Sequence, residues 1–119
     1  MKKANKIRVT VGGEFEKEAG QRFINAWHRA ERGEKFRERY LTFQNWDTLA
    51  RILSGKRMEL LHYVRRHEVT SVRALAKALM RDYSNVHADV QALSSAGLLD
   101  TTDGRVRADY DAIETRISI

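Results

Sequence analysis

The segment from Ser71 to Ala108 constrains this chain most, because its capping and turn residues divide it into short elements of defined type. Ser71 is a favourable N-cap, since a serine hydroxyl accepts a hydrogen bond from a free N–H of the first helical turn. Apolar residues then recur at helical spacing at Leu75, Ala76 and Leu79. The pattern predicts a short amphipathic helix that begins at Ser71.

A second helix is predicted after a tight turn at Met80-Arg81. Asp82 can cap this helix through its carboxylate, and Gly97 stands where a glycine commonly ends a helix. The apolar residues between them recur at spacings of four and three and form one buried face: Val86, Val90 and Leu93.

A two-stranded hairpin is predicted to follow. We expect Leu98-Leu99 to begin its first strand, and Asp103-Gly104 is a strong two-residue hairpin turn. Residues 105–108 alternate polar and apolar, as a half-buried strand does. The order of elements is therefore helix, tight turn, helix and hairpin.

This order resembles the winged helix-turn-helix of MarR-like and GntR-like regulators of bacteria and archaea. The resemblance covers about a third of the chain and implies a DNA-binding transcriptional regulator. The residues that carry it are Leu75-Ala76, Leu79, Asp82, Val86, Leu93, Gly97-Leu98 and the arginine-bearing hairpin.

Four short sequences are similar to a MarR-like group of small prokaryotic regulators: RMELL at 57–61, RDYSNVHADV at 81–90, AGLL at 96–99 and AWHRAERG at 26–33. Several members of that group serve as antitoxins beside TumE-type or similar small toxins. The resemblance therefore implies a small protein toxin as a further partner. An acidic tail with an unpaired strand would suit a basic toxin.

The rest of the chain alternates strand and helix patterns. Alternating apolar residues predict a strand at Ile7–Val11, and aromatic residues with threonine predict another at 36–43. Apolar residues at helical spacing predict helices at 14–32, 46–53 and 56–67. With the hairpin, these elements predict an α+β fold.

We predict two domains within this fold. A winged helix-turn-helix domain would occupy residues 54–119, and a strand-helix-strand-helix extension for dimerisation or partner binding would occupy residues 1–53. Residues 112–119 alternate apolar and polar, which predicts a final strand. This strand could pair with the strand at Ile7–Val11, with a second copy of the chain or with a foreign protein.

Aromatic residues are concentrated in the N-terminal half: Phe15, Phe23, Trp27, Phe36, Tyr40, Phe43 and Trp46. Core packing is one account of them. An interface with a second copy or a partner is an equally good account, because aromatic residues dominate such contacts.

Composition limits the classes of protein to consider. The chain has 119 residues, no cysteine and a net charge of +6. It contains no apolar run near the ~18 residues that a membrane span needs, and its first residues do not resemble a signal peptide. We therefore expect a cytoplasmic protein with no membrane partner and no disulfides. The positive charge favours a polyanionic partner.

The charge is unevenly distributed along the chain. Residues 54–81 carry seven Lys/Arg against two Asp/Glu, whereas residues 82–119 carry three against seven. The basic surface is therefore expected before the second helix of the pair, and the C-terminal part is acidic.

We expect the polar face of that second helix to meet base edges in the major groove, where hydroxyl, imidazole and amide groups can recognise donors and acceptors. The face comprises Ser84, His87, Ala88 and Gln91, with Tyr83 at its N-terminal end and Asn85 on its flank. It carries no lysine or arginine, and Asp89 beside it would repel phosphate unless it were paired. The alternative is an ordinary solvated helix face.

Phosphate contacts would then come from basic residues of other elements, which position a protein on DNA without recognising its sequence. The resemblance implies that a hairpin arginine enters the minor groove; the alternative is exposed charge that aids solubility. The full set of predicted DNA-binding residues is Lys56, Arg57, Ser71, Arg73, Arg81, Tyr83, Ser84, Asn85, His87, Gln91, Arg105 and Arg107.

The sequence shows no catalytic or cofactor motif. No two histidines are three or four residues apart, which is the spacing that pairs metal ligands on a helix. Acidic residues cluster around the hairpin, but no nucleophile or base accompanies them. We therefore expect neither an enzyme nor a bound metal or cofactor.

These observations predict a sequence-specific regulator that binds double-stranded DNA, acts as a repressor and, by the closer resemblance, autoregulates as an antitoxin. We expect a homodimer, because one short helix and one hairpin bury too little surface for tight specific binding. The alternative is a winged helix that binds protein or RNA without operator recognition.

Overall fold

The structure, a computed structural model, describes residues 4–12, 27 and 36–116 of the chain. The described elements make a mixed α+β fold, as predicted. The predicted helix at residues 14–32 lies outside the described residues except for Trp27, which is helical and 58% exposed.

The described elements agree with the predicted ones in type and order, although β1 begins three residues before the strand predicted at Ile7–Val11. The helix predicted at 46–53 ends one residue earlier, and the helix predicted at 56–67 is shifted by one residue. In chain order the elements are β1 (Ala4–Val11), β2 (Phe36–Phe43), α1 (Trp46–Ile52), α2 (Gly55–Arg66), α3 (Val72–Leu79), α4 (Tyr83–Ser95), β3 (Asp100–Thr102), β4 (Arg105–Arg107) and β5 (Ala112–Thr115).

The chain divides into two compact units. One consists of Met1–Trp46 with Tyr110–Ile119, and the other is Asp47–Asp109. The C-terminal residues therefore group with the N-terminal strands, whereas the predicted division placed them in a domain at 54–119. The reason is hydrogen bonding, because β5 pairs with β1.

The first unit contains a three-stranded sheet in the order β2-β1-β5, in which both pairings are parallel. Ile7 of β1 lies opposite Ile113 of β5, and Val9 lies opposite Leu41 of β2. Ile7 and Val9 are almost fully buried, so this face of the sheet is the apolar one.

Pairing with β1 decides among the three partners that the sequence left open for the C-terminal strand. On the polar face of the sheet, the Glu114 carboxylate lies 3.3 Å from Lys6 Nζ and 3.5 Å from Arg8 Nη2. The Thr115 hydroxyl also donates a 3.0 Å hydrogen bond to the carbonyl of Val9. The expectation that the C-terminal strand is unpaired is therefore wrong, whereas a toxin partner stays a prediction.

The second unit has its own apolar core, built from the helices and the hairpin. Each helix contributes residues at helical spacing, as the sequence predicted for α4. The core residues of this unit that are at most 1% exposed are Leu60, Leu75, Val86, Val90, Leu93, Leu98 and Val106. Burial of a side chain of this size contributes about 1.5–3 kcal/mol, so these residues are the main source of the unit's stability.

Both predicted N-caps are confirmed. The Ser71 hydroxyl accepts a 3.0 Å hydrogen bond from the Ala74 N–H, and the Asp82 carboxylate accepts a 3.4 Å bond from the Asn85 N–H. These bonds satisfy N–H groups that the first helical turn leaves free, and each cap typically contributes about 1 kcal/mol.

The turn between α3 and α4 uses a left-handed residue that is not glycine. Met80 has φ 54°, and its side chain is 92% exposed. The Arg81 N–H donates to the carbonyl of Ala76 at 3.0 Å, which ends α3 in the arrangement that usually has glycine at this position. A non-glycine residue in this region costs about 1–2 kcal/mol, which the surrounding structure must offset.

The hairpin turn is also as predicted. Asp103 and Gly104 both have positive φ, 56° and 79°, as a two-residue turn with right-handed strand twist requires. Behind the hairpin, Val69 bridges Val106 through a 3.1 Å backbone hydrogen bond. This bridge joins the segment before α3 to β4.

The first hairpin strand begins later than expected. Leu98-Leu99 was predicted to start it, but β3 begins at Asp100. The reason is the end of α4, where the Leu98 N–H donates to the carbonyl of Leu93 at 2.8 Å around Gly97, which has φ 83°. That N–H is therefore committed to closing the helix.

Tyr110 provides a test of this fold at alkaline pH. Burial raises the pKa of its phenol from 10.0 to about 12, although the Arg39 guanidinium, 5.7 Å from the ring centroid, acts in the opposite direction. A raised folded-state pKa means that the stabilisation is complete below the unfolded value and is lost as the pH rises through the folded value. We expect the free energy of unfolding to fall between about pH 10 and 12.

Denaturant titrations at several alkaline pH values measure this fall. The Tyr110→Phe variant should lack the part of it that ionisation of this phenol causes. If the free energy of unfolding of the variant fell with rising pH as steeply as that of the original protein, Tyr110 would not be the cause of the fall.

Candidate nucleic-acid interface

Helix α4 turns one polar face to solvent. Its apolar residues are buried, and Val86, Val90 and Leu93 are at most 1% exposed. The exposed residues of the helix are Tyr83, Ser84, Asn85, His87, Ala88, Gln91 and Ser95. The predicted orientation of the helix is therefore confirmed, while contact of this face with DNA stays a prediction.

Asp89, on the flank of α4, binds two arginines from other parts of the unit. Its carboxylate accepts a 3.1 Å hydrogen bond from Arg57 Nε of α2 and a 2.7 Å bond from Arg81 Nη2 in the turn before α4. The side chains of Arg57, Arg81 and Asp89 are only 22%, 17% and 14% exposed. Charge-assisted hydrogen bonds of this kind are stronger than exposed ion pairs. We refer to these three residues as the Asp89 cluster.

The Asp89 cluster also reaches α1. Arg57 Nη1 donates to the carbonyls of Arg51 at 3.1 Å and Ile52 at 3.5 Å, at the C-terminal end of α1. Arg81 Nη1 is buried and has no hydrogen-bond partner among the described residues. The negative charge of Asp89 offsets part of the desolvation cost of burying the Arg81 guanidinium.

Two of the predicted phosphate contacts thus have a role inside the protein. Arg57 and Arg81 were expected to face DNA, and Asp89 was expected to repel it unless paired. In the structure these three side chains form a single cluster, in which the Asp89 carboxylate offsets part of the positive charge of the two arginines. Phosphate contact by Arg57 or Arg81 stays a prediction, and fewer of their donors are available for it.

A second group of side chains connects α3 with the first turns of α4. The Arg73 guanidinium carbon lies 4.8 Å from the centroid of the Tyr83 ring. The Tyr83 and His87 rings are tilted by 38°, with centroids 5.7 Å apart. An exposed cation–π contact contributes about 0.5–1 kcal/mol, so Arg73 restrains the Tyr83 ring in addition to supplying charge.

Lys56, in the first turn of α2, lines a surface depression of about 470 Å³. The other lining residues, which include two carboxylates, are Met80, Arg81, Asp82, Asn85, Ala88 and Asp89. Lys56 is exposed, and the side chain of the N-cap residue Ser54 makes no capping hydrogen bond. A lysine at a helix N-terminus adds charge to free N–H groups, which is a combination that suits a phosphate.

The hairpin presents both of its arginines to solvent. The burial pattern of β4 is exposed, buried, exposed, which confirms that Arg105 and Arg107 project from the same side and Val106 from the other. Arg105 Nη1 lies 3.3 Å from Glu68 Oε1, but both side chains are well exposed. Such a pair contributes less than about 1 kcal/mol, so DNA can replace it at little cost.

Ser71 occupies a structural position. It is half-buried at the start of α3, and its hydroxyl accepts the hydrogen bond that caps the helix. Its predicted contact with DNA is not tested, although its hydroxyl hydrogen can still be donated to a phosphate.

The Asp89 cluster is the part of this surface that the sequence did not reveal. Its members come from three separate places in the chain, and no periodicity connects them. One signal was present, because Asp89 is the only acidic residue within α4 and adjoins its buried face. An isolated charge at such a position requires a partner, but the sequence does not identify which arginine supplies it.

Among residues 4–12, 27 and 36–116, no group of three or more histidine, cysteine, aspartate or glutamate side chains is arranged to hold a metal ion. Among the same residues, no helix combines the length and the apolar character needed to cross a bilayer.

The Asp89 cluster leads to a prediction about stability. The Asp89→Asn substitution removes the charge between two partly buried guanidinium groups while nearly preserving side-chain volume. We expect the free energy of unfolding to fall by about 1–3 kcal/mol, as measured by urea denaturation. The matched control is Asp109→Asn at an exposed position of the same unit, which should change stability by less than about 0.5 kcal/mol. Equal effects of the two substitutions would exclude a stabilising role for the cluster.

Comparison with known proteins gives one assignment. No curated protein and no solved structure matches the chain. The MarR-like resemblance and the antitoxin interpretation therefore stay predictions. A profile of the HVO_A0114 family matches residues 52–115, which include α2, α3, α4 and the hairpin. Because this match spans more than half of the chain, the protein belongs to the HVO_A0114 family.

Proposed function

We propose that the unit at Asp47–Asp109 is a winged helix-turn-helix that binds double-stranded DNA and recognises its sequence through α4. The observation that carries this proposal is the two-sided character of α4. Its apolar side is completely buried, whereas its other side presents hydroxyl, imidazole and amide groups to solvent. Polar groups of these types can form hydrogen bonds with base edges in the major groove.

The elements around α4 support the same proposal. Helix α3 precedes it across a tight turn, and the hairpin that follows carries Arg105 and Arg107 on its exposed side. In a docked complex, α4 would lie in the major groove and the hairpin arginines would approach the neighbouring minor groove. Narrow minor grooves attract guanidinium groups because their negative potential is enhanced.

In this proposal, phosphate contacts come from outside α4. Lys56 at the N-terminus of α2 and Arg73 near the N-terminus of α3 are both exposed. Arg57 and Arg81 contribute less, because Asp89 offsets part of their charge. Such contacts position the protein on the duplex and do not recognise its sequence.

We further propose that the protein acts as a dimeric repressor. One helix of 13 residues and one short hairpin offer a small contact area, and two copies on paired half-sites would double it. A repressor needs only to occupy its site, which such a dimer can do without a catalytic centre. A toxin partner stays a prediction from sequence resemblance.

Titration with DNA tests sequence recognition. We expect duplex DNA from the protein's own upstream region to bind more tightly than random duplex at physiological salt. The His87→Ala and Ser84→Ala substitutions should each weaken specific binding by about 1 kcal/mol or more and leave random binding nearly unchanged. Arg73→Ala should weaken both. Fluorescence anisotropy provides the measurement.

The proposal fails if upstream and random duplexes bind equally. The alternative, a winged helix that binds protein or RNA, would then be preferred. Equal effects of the three substitutions on both duplexes would contradict the assigned roles of α4 and Arg73 while leaving DNA binding intact.

The salt dependence of binding tests the phosphate contact of Lys56. We expect Lys56→Ala to weaken binding to all duplexes alike and to reduce the slope of log K against log salt concentration by about 1. The matched control is Arg66→Ala, which removes the same charge from the opposite end of α2, about 15 Å away along the helix axis. An unchanged slope for Lys56→Ala, or an equal change for both variants, would exclude a direct contact.

A further inference from the structure

Helix α4 lacks the residue types that most often recognise guanine. No lysine or arginine occurs in Tyr83–Ser95. The commonest specific contact to guanine is a lysine or arginine that donates to both O6 and N7. A guanine contact of this kind would therefore have to come from a neighbouring element.

The arginines that adjoin α4 are already engaged. Arg57 and Arg81 donate to Asp89 at 3.1 Å and 2.7 Å, and their side chains are mostly buried. Arg73 lies over the ring of Tyr83 at 4.8 Å. To reach a guanine, each of these guanidinium groups would have to leave a contact that orients α4 or its first turn.

The helix also lacks an available partner for cytosine. Cytosine presents an N4 amino group in the major groove, and a glutamate or aspartate carboxylate accepts a hydrogen bond from it. The only carboxylate within α4 belongs to Asp89, which is 14% exposed and accepts hydrogen bonds from two arginines. Both of the usual side-chain partners for G·C pairs are thus missing from the exposed face.

The side chains that are exposed suit A·T pairs. A glutamine amide can accept from adenine N6 and donate to adenine N7, and an alanine methyl can contact the C5-methyl group of thymine. Gln91 and Ala88 are both exposed, and their spacing of three places them next to each other on one helix face. Neighbouring positions on a helix in the groove can contact neighbouring base pairs.

We propose that the exposed face of α4 selects A·T base pairs in the major groove, with Gln91 bonded to adenine and Ala88 in contact with a thymine methyl group. This inference rests on the proposed DNA-binding function and specifies its ligand as a duplex with an A·T-containing half-site. The selectivity has two sources. The exposed face presents an amide and a methyl group, and the nearby arginines are held in contacts with Asp89 and Tyr83.

The experiment begins with a random duplex library, from which the full-length protein selects its preferred sequences. The expected result is a half-site with A·T pairs at its centre. Two modified duplexes then test single atoms of that half-site. Replacement of thymine by uracil removes the C5-methyl group, and replacement of adenine by 7-deazaadenine removes N7.

Each modification at its contacted base pair should weaken binding, by about fivefold or more for loss of the adenine N7 contact. The Gln91→Ala variant should bind more weakly but should lose nothing further on the 7-deazaadenine duplex, because the partner of N7 is already absent. The Gln91→Glu variant should change the preference at that base pair towards cytosine, since a carboxylate only accepts. Gln44→Ala, which removes the same side chain from an exposed position outside Asp47–Asp109, serves as the matched control and should keep the 7-deazaadenine effect.

The outcomes separate this inference from the function on which it rests. Selection of a half-site centred on G·C pairs, or tight binding that is indifferent to both modified bases, would overturn the A·T inference and leave DNA binding standing. Enrichment of no duplex at all would overturn the proposed function together with the inference.

Discussion

Two guanidinium groups from different parts of the chain meet at the carboxylate of Asp89, and this contact joins three helices of the unit at Asp47–Asp109, which we call the helical unit. Arg57 connects α4 to α2 and, through carbonyl groups, to the end of α1. Arg81 connects α4 to the turn that precedes it. The charges are mostly shielded from water, so each needs the others to offset its desolvation. Apolar packing holds α4 against the core, and the Asp89 cluster adds charge-assisted hydrogen bonds at its flank.

The same cluster shapes the surface that we propose for DNA. Two arginines that would otherwise add positive charge next to α4 are bound to Asp89 within it. Asp89, the only carboxylate of that helix, is itself mostly buried. The exposed face of α4 is therefore polar and free of lysine, arginine and accessible carboxylate, and basic residues lie on α2, α3 and the hairpin. An arrangement of this kind separates phosphate contacts, which provide affinity, from base contacts, which provide specificity.

Much of the helical unit was predictable because its signals are local. The caps at Ser71 and Asp82 and the turn at Asp103-Gly104 each depend on residues within a few positions, and all three agree with the structure. The buried face of α4 follows from helical spacing in the same way. The start of β3 was wrong, because one backbone N–H closes α4 and cannot also begin a strand.

The candidate site was predictable only in part. The exposed side of α4 and the two outward arginines of β4 follow from periodicity, and the structure has both. The roles of Arg57 and Arg81 did not follow, because an arginine bound to a carboxylate and one exposed to solvent look alike in a sequence. Only the distances in the folded chain distinguish them.

Local chemistry in the chain thus decided where the helices begin and end, which of their faces is apolar and where the hairpin turns. Tertiary structure alone decided that the C-terminal strand lies parallel to β1, with Ile113 opposite Ile7, and that Asp89 binds Arg57 and Arg81. The physical reason is the range of each interaction. Caps and turns involve neighbours in sequence, whereas strand pairing and ion pairs form between any segments that the folded chain brings together.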